Sequence, residues 1–396
     1  IYGLATRYAR ETKAGFRFVK TIERKEALRD ADFVINTALI GGHSNEEEER
    51  RIGEGCGYYR GLNFGVYLHQ LGLMLGVARD VEDICRDAWL IQASNPVFDG
   101  CTLITRETRA RALGLCHGHY GAYHVARVIG LDPEEVGFQA PGVNHCIWMT
   151  HFLHRGKDAY PLIDDWVAKK SEEYWRLWDG DATDVQMSPA TVSLYKMFGL
   201  FPIGDTPRYA GAWWHHTDLE TKKRWFNKYG GFDSEIGWGH YLSGLERRMD
   251  EIYKLHSDPS ALVSREFQPV ASGEQHVPII DALVNDNLGC FQVNVPNGGA
   301  LGGFGEDVVV EVPGVVSARG VQAVHVGNLP RHLTLHILRT LVMPMEQGLE
   351  AFLTRDKSAL LDRILLDHRT RSYEQANRLV DAILALPFNE DLRDFR

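Results

Sequence analysis

Asp32-Phe33-Val34-Ile35-Asn36-Thr37-Ala38, with Gly41-Gly42-His43 close behind, is a short apolar run that gives way to a polar, glycine-bearing loop. A helical pattern over residues 25–32 feeds it. A buried strand entered from a helix and left through such a loop is the grammar of a doubly wound parallel sheet, where ligands sit beyond the carboxyl ends of strands. The unit recurs. A helix closes at Val81-Glu82-Asp83-Ile84, Ala88-Trp89-Leu90-Ile91 is strand-like, and Ser94-Asn95-Pro96 ends it. In a third unit, Ala112-Leu113-Gly114-Leu115 leads to Cys116-His117-Gly118. Singly, Asn-Pro and Gly-Gly only punctuate turns; in series, the three polar turns line one crevice.

The expected fold class is α/β, a Rossmann-type doubly wound parallel sheet over residues 1–130 followed by an α+β substrate domain over 131–396. One part of that fold is missing. No G-x-G-x-x-G follows a strand near the start, and the chain opens in a helix-like stretch, Tyr2–Thr12. The phosphate-cradling first βα turn should precede such a helix, so the given sequence is expected to lack an amino-terminal unit. After about Gly130 tryptophan, histidine and tyrosine become frequent. Strand patterns return at Phe291–Val295 and Val308–Val312, and long amphipathic helices are expected from Leu333 to Leu386.

The 396 residues are 44% hydrophobic, enough for a sizeable core without cross-links. A net charge of −10 gives no nucleic-acid groove and no polybasic membrane patch. Six cysteines show no disulfide framework, no apolar run is long enough to span a membrane, and no signal peptide opens the chain. A cytoplasmic protein with reduced thiols is expected. The charge run Glu46-Glu47-Glu48-Glu49-Arg50-Arg51 reads as the solvated side of a helix or a lid.

The chemistry-bearing pair is Cys116-His117, answered by Asn144-His145 after a helix-length interval. A thiolate and an imidazole from different element ends can meet on one transition-metal ion and leave coordination positions open for catalysis. Alone, Cys116 reads as a small buried hydrophobe and His145 as a hydrogen-bonded core histidine. Pro202-Ile203-Gly204-Asp205-Thr206-Pro207-Arg208 carries an acid in a Gly/Pro-rich loop, which is also the signature of an Asx-turn or N-cap. Ser272-Gly273-Glu274-Gln275-His276 resembles a capped start to a helix over 277–283. Trp213-Trp214-His215-His216 reads either as a sugar-stacking platform or as core.

The segments Val34–Ala38, Ser94–Phe98, Leu115–Gly118, Gly142–His145, Pro202–Thr206 and Ser272–His276 together resemble glycoside hydrolase family 4, in family order, down to Leu386-Pro387-Phe388-Asn389-Glu390. Cys-His-Gly with Gly-Asp-Thr resembles the family's α-glycosidase branch, and Leu219–Phe226 looks like its α-glucuronidase and α-galacturonidase-like subgroup. The departures are the missing glycine-rich motif, a short region after Tyr58-Tyr59-Arg60-Gly61, and Asn63 where relatives often carry an acid.

This resemblance implies a lactate/malate dehydrogenase-like sheet, NAD, and Mn2+ or another divalent transition metal. It also implies an exception to the two-carboxylate rule of glycosidases. NAD would take hydride from C3 of the sugar, and the metal on Cys116 and His145 would polarise the resulting ketone. Asp205 would remove the C2 proton and His117 would protonate the departing oxygen; water addition and re-reduction would follow. Asn36, Thr37 and Asn95 would face the cofactor. Asn95, Asn144 and His117 would bind the sugar, with Arg208 on a uronate carboxylate. The implied function is an α-glucuronidase acting on a small carbohydrate, as a homodimer or homotetramer. An α-glucosidase, α-galactosidase or α-galacturonidase of the same family remains open, as do a plain NAD-dependent hydroxy-acid or polyol dehydrogenase and a non-catalytic sugar-binding relative.

Overall fold

The computed structural model describes residues 1–178, 185–270 and 272–395. Nine strands form its main sheet: β1 (Phe33–Asn36), β2 (Trp89–Gln92), β3 (Arg111–Gly114), β4 (Gly142–Val143), β5 (Cys146–Met149), β6 (Phe201–Ile203), β7 (Gly289–Pro296), β8 (Val309–Ser317) and β9 (Gly320–Ala323). Their order is β1-β2-β3-β7-β8-β4-β5-β6, with β9 hairpinned onto β8. The first three strands pair in parallel, as the three apolar runs predict, and the remaining pairings are antiparallel.

The helices that matter for the site are α1 (Tyr2–Thr12), α2 (Gly42–Gly55), α3 (Phe64–Ile84), α4 (Val97–Glu107), α5 (Tyr120–Ile129), α6 (Glu235–Ser257), α7 (His276–Asn285) and α8 (Tyr373–Leu384). Helix α3 buries Leu68, Leu71, Leu75 and Ala78, an i, i+3, i+4 stripe on one face. Leu71 and Leu75 join Ile91, Phe98, Leu103 and Leu113 in the principal core. Each fully buried leucine there contributes roughly 1.5–3 kcal/mol relative to exposure.

One row of cross-strand partners organises the sheet: Asn36, Gln92, Gly114, Asn294, Glu311, Gly142, Ile147 and Ile203. Thr37, Asn95, Cys116, Asn144, His145 and Asp205 all leave the sheet within a few residues of that row. The two strand patterns late in the chain supply its middle, because β7 and β8 are inserted between β3 and β4.

Two expectations are corrected and a third is refined. The helix before β1 is only Arg24–Ala27, since the chain turns through Asp30 in the left-handed region (φ 58°). The expected long carboxy-terminal helices run without interruption over 331–354 and then over Lys357–Leu365 and Tyr373–Leu384. Their boundaries fall where Arg355 adopts φ 59° and where Asp356 and Ser372 cap the following helices. The run Glu46–Arg51 lies on α2 but is not all solvated: Glu49 is fully buried. Its carboxylate accepts from the N–H groups of Gly65 and Val66 at the start of α3, at 3.1 and 3.0 Å, and from Asn389 Nδ2 at 3.0 Å.

Burial pushes the Glu49 carboxyl up from 4.5 to about 7 against those three donors. A raised folded pKa stabilises the protonated form, so this contribution is complete below about pH 4.5 and is lost as pH rises through 7. The stability of the wild type relative to Glu49→Gln is expected to fall by up to about 3 kcal/mol between pH 4.5 and 8, measured by urea unfolding. A difference that stays constant over that range would contradict this assignment.

Candidate active site

The loops after β1 and β2 are tied together by buried amides. Asn36 Nδ2 donates to Gln92 Oε1 at 2.9 Å, and Gln92 Nε2 donates to Ser94 Oγ at 2.7 Å. Gln70, reaching from α3, donates to the Ala38 carbonyl at 2.8 Å and accepts from Ile40 N–H at 3.0 Å. This network fixes the crevice wall and leaves Thr37 and Asn95 exposed beyond it. The Asn36 side chain is spent inside the wall, since its Oδ1 also accepts from Ala38 N–H. It therefore shapes the crevice and does not reach outward, as expected of a group meeting a ribose.

The loop after β3 carries Cys116, half-buried, and His117, exposed and stacked at 6.2 Å on Tyr120. Gly118 lies against Gly204, where a Cβ would stand 2.6 Å from the Gly118 Cα. Gln186, 5% exposed, accepts from Gly204 N–H at 2.7 Å and donates to the Pro202 carbonyl at 3.0 Å. Thr206 Oγ1 accepts from Ile147 N–H at 2.9 Å, pinning the loop after β6 to β5. Glycine at 204 is thus required by close backbone approach of the aspartate loop to the cysteine loop.

Asn144-His145 is the two-residue turn of the β4–β5 hairpin, with Val143 paired to Cys146. His145 has φ 63°, an uncommon conformation for a residue with a Cβ. Its Nε2 lies 3.5 Å from Asp205 Oδ2, and its ring sits 4.7 Å from that of Tyr209. The Asn144 amide donates to Glu311 Oε2 at 2.9 Å, and the Cys116 thiol lies in the field of Glu311 and Asp205. Cys116, Asn144, His145 and Asp205 therefore share one neighbourhood, assembled from three separate turns.

Asp205 is the N-cap of Thr206–Tyr209, yet its side chain makes no capping bond. It accepts instead from Arg208 Nη1 at 2.7 Å, while Arg208 Nε and Nη2 clasp Asp233 at 2.8 and 2.7 Å. Phe232 and Tyr209 cover the guanidinium, with ring centres at 4.1 and 5.1 Å. Burial opposes ionisation of Asp205, but the Arg208 guanidinium outweighs it and holds its carboxyl below the usual range. Asp233 is likewise depressed by Arg208 against burial. Lys222, 2% exposed, supplies a second positive charge to Asp233 and donates to His216 Nδ1 at 3.0 Å. The expectation that Arg208 receives a substrate carboxylate is corrected by these contacts, because its guanidinium is already held by two acids.

Aromatic and amide contacts surround this cluster. His43 meets Trp238 and Tyr241 edge-on at 5.6 and 5.5 Å, and Tyr241 packs on Phe232 at 5.0 Å, joining α2 to α6 beside Arg208. Trp214 packs into the core and Trp213 stacks on His368 at 5.0 Å. The start of α7 is not side-chain capped. Gln275 instead exchanges two bonds with the backbone of Gln292, at 2.9 and 2.8 Å.

Among the described residues no three His, Cys, Asp or Glu side chains converge as a metal-binding set. A cation here would rest on two protein donors. The donor chemistry fits one: burial lowers the His145 pKa, leaving a neutral imidazole lone pair. Burial, then the carboxylates of Glu311 and Asp205, push the Cys116 thiol up to about 12. A thiol in such a negative field becomes a thiolate when a divalent cation binds it. A dinucleotide would lie against the exposed Thr37 and Asn95, beyond the carboxyl ends of β1 and β2.

Comparison with known proteins places this architecture. Residues 1–131 match the family 4 glycosyl hydrolase profile, and residues 140–370 match the profile of that family's C-terminal domain. An alpha-galacturonidase of Thermoanaerobacterium saccharolyticum is 25% identical over 386 residues, covering 90% of this chain and 79% of the relative. An alpha-galactosidase of Bacillus subtilis is 24% identical over 360 residues, covering 88% and 78%. Among solved structures, a putative glucosidase from Bacillus subtilis superposes with a TM-score of 0.79 at 23% identity, over 92% of this chain and 86% of that one. A 6-phospho-alpha-glucosidase from gut microorganisms, solved with NAD and Mn2+, gives 0.78 at 19% identity, over 99% and 88%. The fold class expected from the three strand–turn units is the one these structures share. No helix among the described residues is long and apolar enough to cross a membrane. The chain belongs to glycosyl hydrolase family 4 and is a glycosidase.

Proposed function

We propose that this chain is an NAD- and Mn2+-dependent α-glycosidase acting on α-linked uronides, with α-glucuronides as the first substrate to test. The observation that carries the reading is the convergence of Cys116, Asn144, His145 and Asp205 from three turns. The uronide class is supported by relatives named alpha-galacturonidase, and the two cofactors by the family neighbour solved with both.

The chemistry these groups supply when bound is reversible hydride transfer at sugar C3 and Lewis-acid polarisation of the oxygen there. Cys116 and His145 would hold the ion, and Thr37 and Asn95 the dinucleotide. Asp205, kept ionised by Arg208, takes the C2 proton as a weak base suited to an acidified carbon acid. Exposed His117, beside Cys116, gives a proton to the departing oxygen. Asn144 and Asn95 orient sugar hydroxyls.

A second reading, a neutral α-hexoside substrate, is favoured by one observation: Arg208 is committed to Asp205 and Asp233. A panel of p-nitrophenyl α-glucuronide, α-galacturonide, α-galactoside and α-glucoside, with NAD, Mn2+ and a reductant, separates the two. Release from no α-glycoside would reject the class of substrate. Steady accumulation of NADH in proportion to substrate would point to a simple dehydrogenase. In D2O the product is expected to carry deuterium at C2, and Asp205→Asn is expected to lower that incorporation at least about 100-fold. Exchange at the wild-type rate would remove Asp205 as the base.

A further inference from the structure

Glu311 sits in the middle of the sheet on β8, paired to Asn294 of β7 on one side and to Gly142 of β4 on the other. It is 1% exposed in a run of valines, where an ionisable side chain is costly unless it is used. Its Oε2 accepts from Asn144 Nδ2 at 2.9 Å. Neither its Oε1 nor Oδ1 of Asn294 across the strand makes a hydrogen bond, and burial raises the Glu311 carboxyl to about 7 against the neighbouring amides of Asn144, Asn294 and Gln292.

The Asn144-His145 turn needs an anchor. Two-residue hairpins favour primed turns, whose twist matches the strands and whose first central residue has positive φ. Among the described residues His145 has positive φ (63°) and Asn144 does not, so this hairpin carries the less favoured geometry with a histidine in the strained position. Strain of that kind, on the order of 1–3 kcal/mol, persists where the surroundings over-determine it. The Asn144 amide, held by Glu311 at 2.9 Å, is the side-chain anchor of this turn.

We infer that Glu311 is a positioning residue: through Asn144 it fixes the hairpin tip, and so sets the aim of His145 toward the cation it would share with Cys116. The inference rests on reading those two residues as cation donors. It requires an acceptor at position 311, and a carboxylate is not the only group that supplies one. An amide there would offer its oxygen to Asn144 and its N–H to the unpartnered Asn294 Oδ1.

The test is Mn2+ binding to the full chain without dinucleotide or sugar, followed by the electron paramagnetic resonance signal of free Mn2+. Glu311→Leu is expected to raise the Kd 10- to 100-fold, the scale of lost outer-shell support. Glu311→Gln is expected to stay within about threefold of wild type, with thermal unfolding recorded for each. Wild-type affinity in a folded Glu311→Leu would overturn the positioning role, as would a tenfold loss in Glu311→Gln. If Glu311→Leu does not fold, Asn144→Ala cuts the same link from its other end and is expected to lose affinity to the same degree; unchanged affinity there would overturn the role. Absence of Mn2+ binding by wild type would instead remove the cation reading beneath it.

Discussion

Cys116→Ser is expected to lower glycoside hydrolysis by at least about 10³-fold while leaving the fold intact. Lewis-acid polarisation contributes several kcal/mol, and each 1.36 kcal/mol is tenfold in rate. Serine is nearly isosteric, and the cysteine lies on a loop held by Gly118 against Gly204, so packing changes little. What changes is the donor: a serine hydroxyl is a harder, far less acidic ligand than a thiol. The surrounding carboxylates of Glu311 and Asp205 make the ligand's deprotonation depend on the cation itself. Initial rates with added Mn2+, alongside circular dichroism, check this. Near-wild-type turnover in the serine variant would contradict it.

Arg208→Met is expected to cost about 3–5 kcal/mol of stability and to abolish activity, because it strands two buried carboxylates. Arg208 clasps Asp233 with two bonds and Asp205 with one, and its side chain is only 10% exposed. Methionine keeps much of the volume between Phe232 and Tyr209, so the loss reads charge and not packing. The double variant with Asp233→Asn is expected to recover part of the stability but not the activity, since Asp205 still lacks its partner. Denaturant unfolding of the two variants measures both terms. A stability loss under about 1 kcal/mol would show that the cluster is screened by solvent.

The pH dependence of this cluster has a defined sign. Asp205 and Asp233 have depressed folded pKa values. Their stabilisation is present above the unfolded carboxylate value and is lost as pH falls through the folded one. Glu49 runs the other way, with a folded value raised to about 7.

The three parallel strands were legible because buried parallel strands read as continuous apolar runs ending in polar turns, and the site loops follow those turns. Glu311 was hidden in Val308-Val309-Val310-Glu311-Val312, which reads as a strand from its valines alone. The signal was present all the same: one charge inside a β-branched run that must be buried on both faces. What no local pattern shows is the register that sets Glu311 beside Asn294 and Gly142, residues far away in the chain. Arg208 was misassigned for a related reason. Its spacing from Asp205 is visible, whereas Asp233 reaches it only through the fold. Glu49 looked like one more surface acid in a charged helix until α3 and Asn389 closed over it. The carboxy-terminal helices were legible from their leucine and isoleucine spacing, but the boundary at Arg355, set by its left-handed backbone, is one no propensity announces.

The most direct test of the central claim, that a thiol and an imidazole from separate turns grip one cation, is a Co2+ titration followed in the near-ultraviolet. A thiolate bound to Co2+ gives a charge-transfer band there, and with six cysteines in the chain the variants assign it. The account predicts a band saturating at a single equivalent, abolished in Cys116→Ser and requiring roughly 10- to 100-fold more Co2+ in His145→Ala. A band that persists unchanged in Cys116→Ser, or saturates at wild-type Co2+ in His145→Ala, would contradict it.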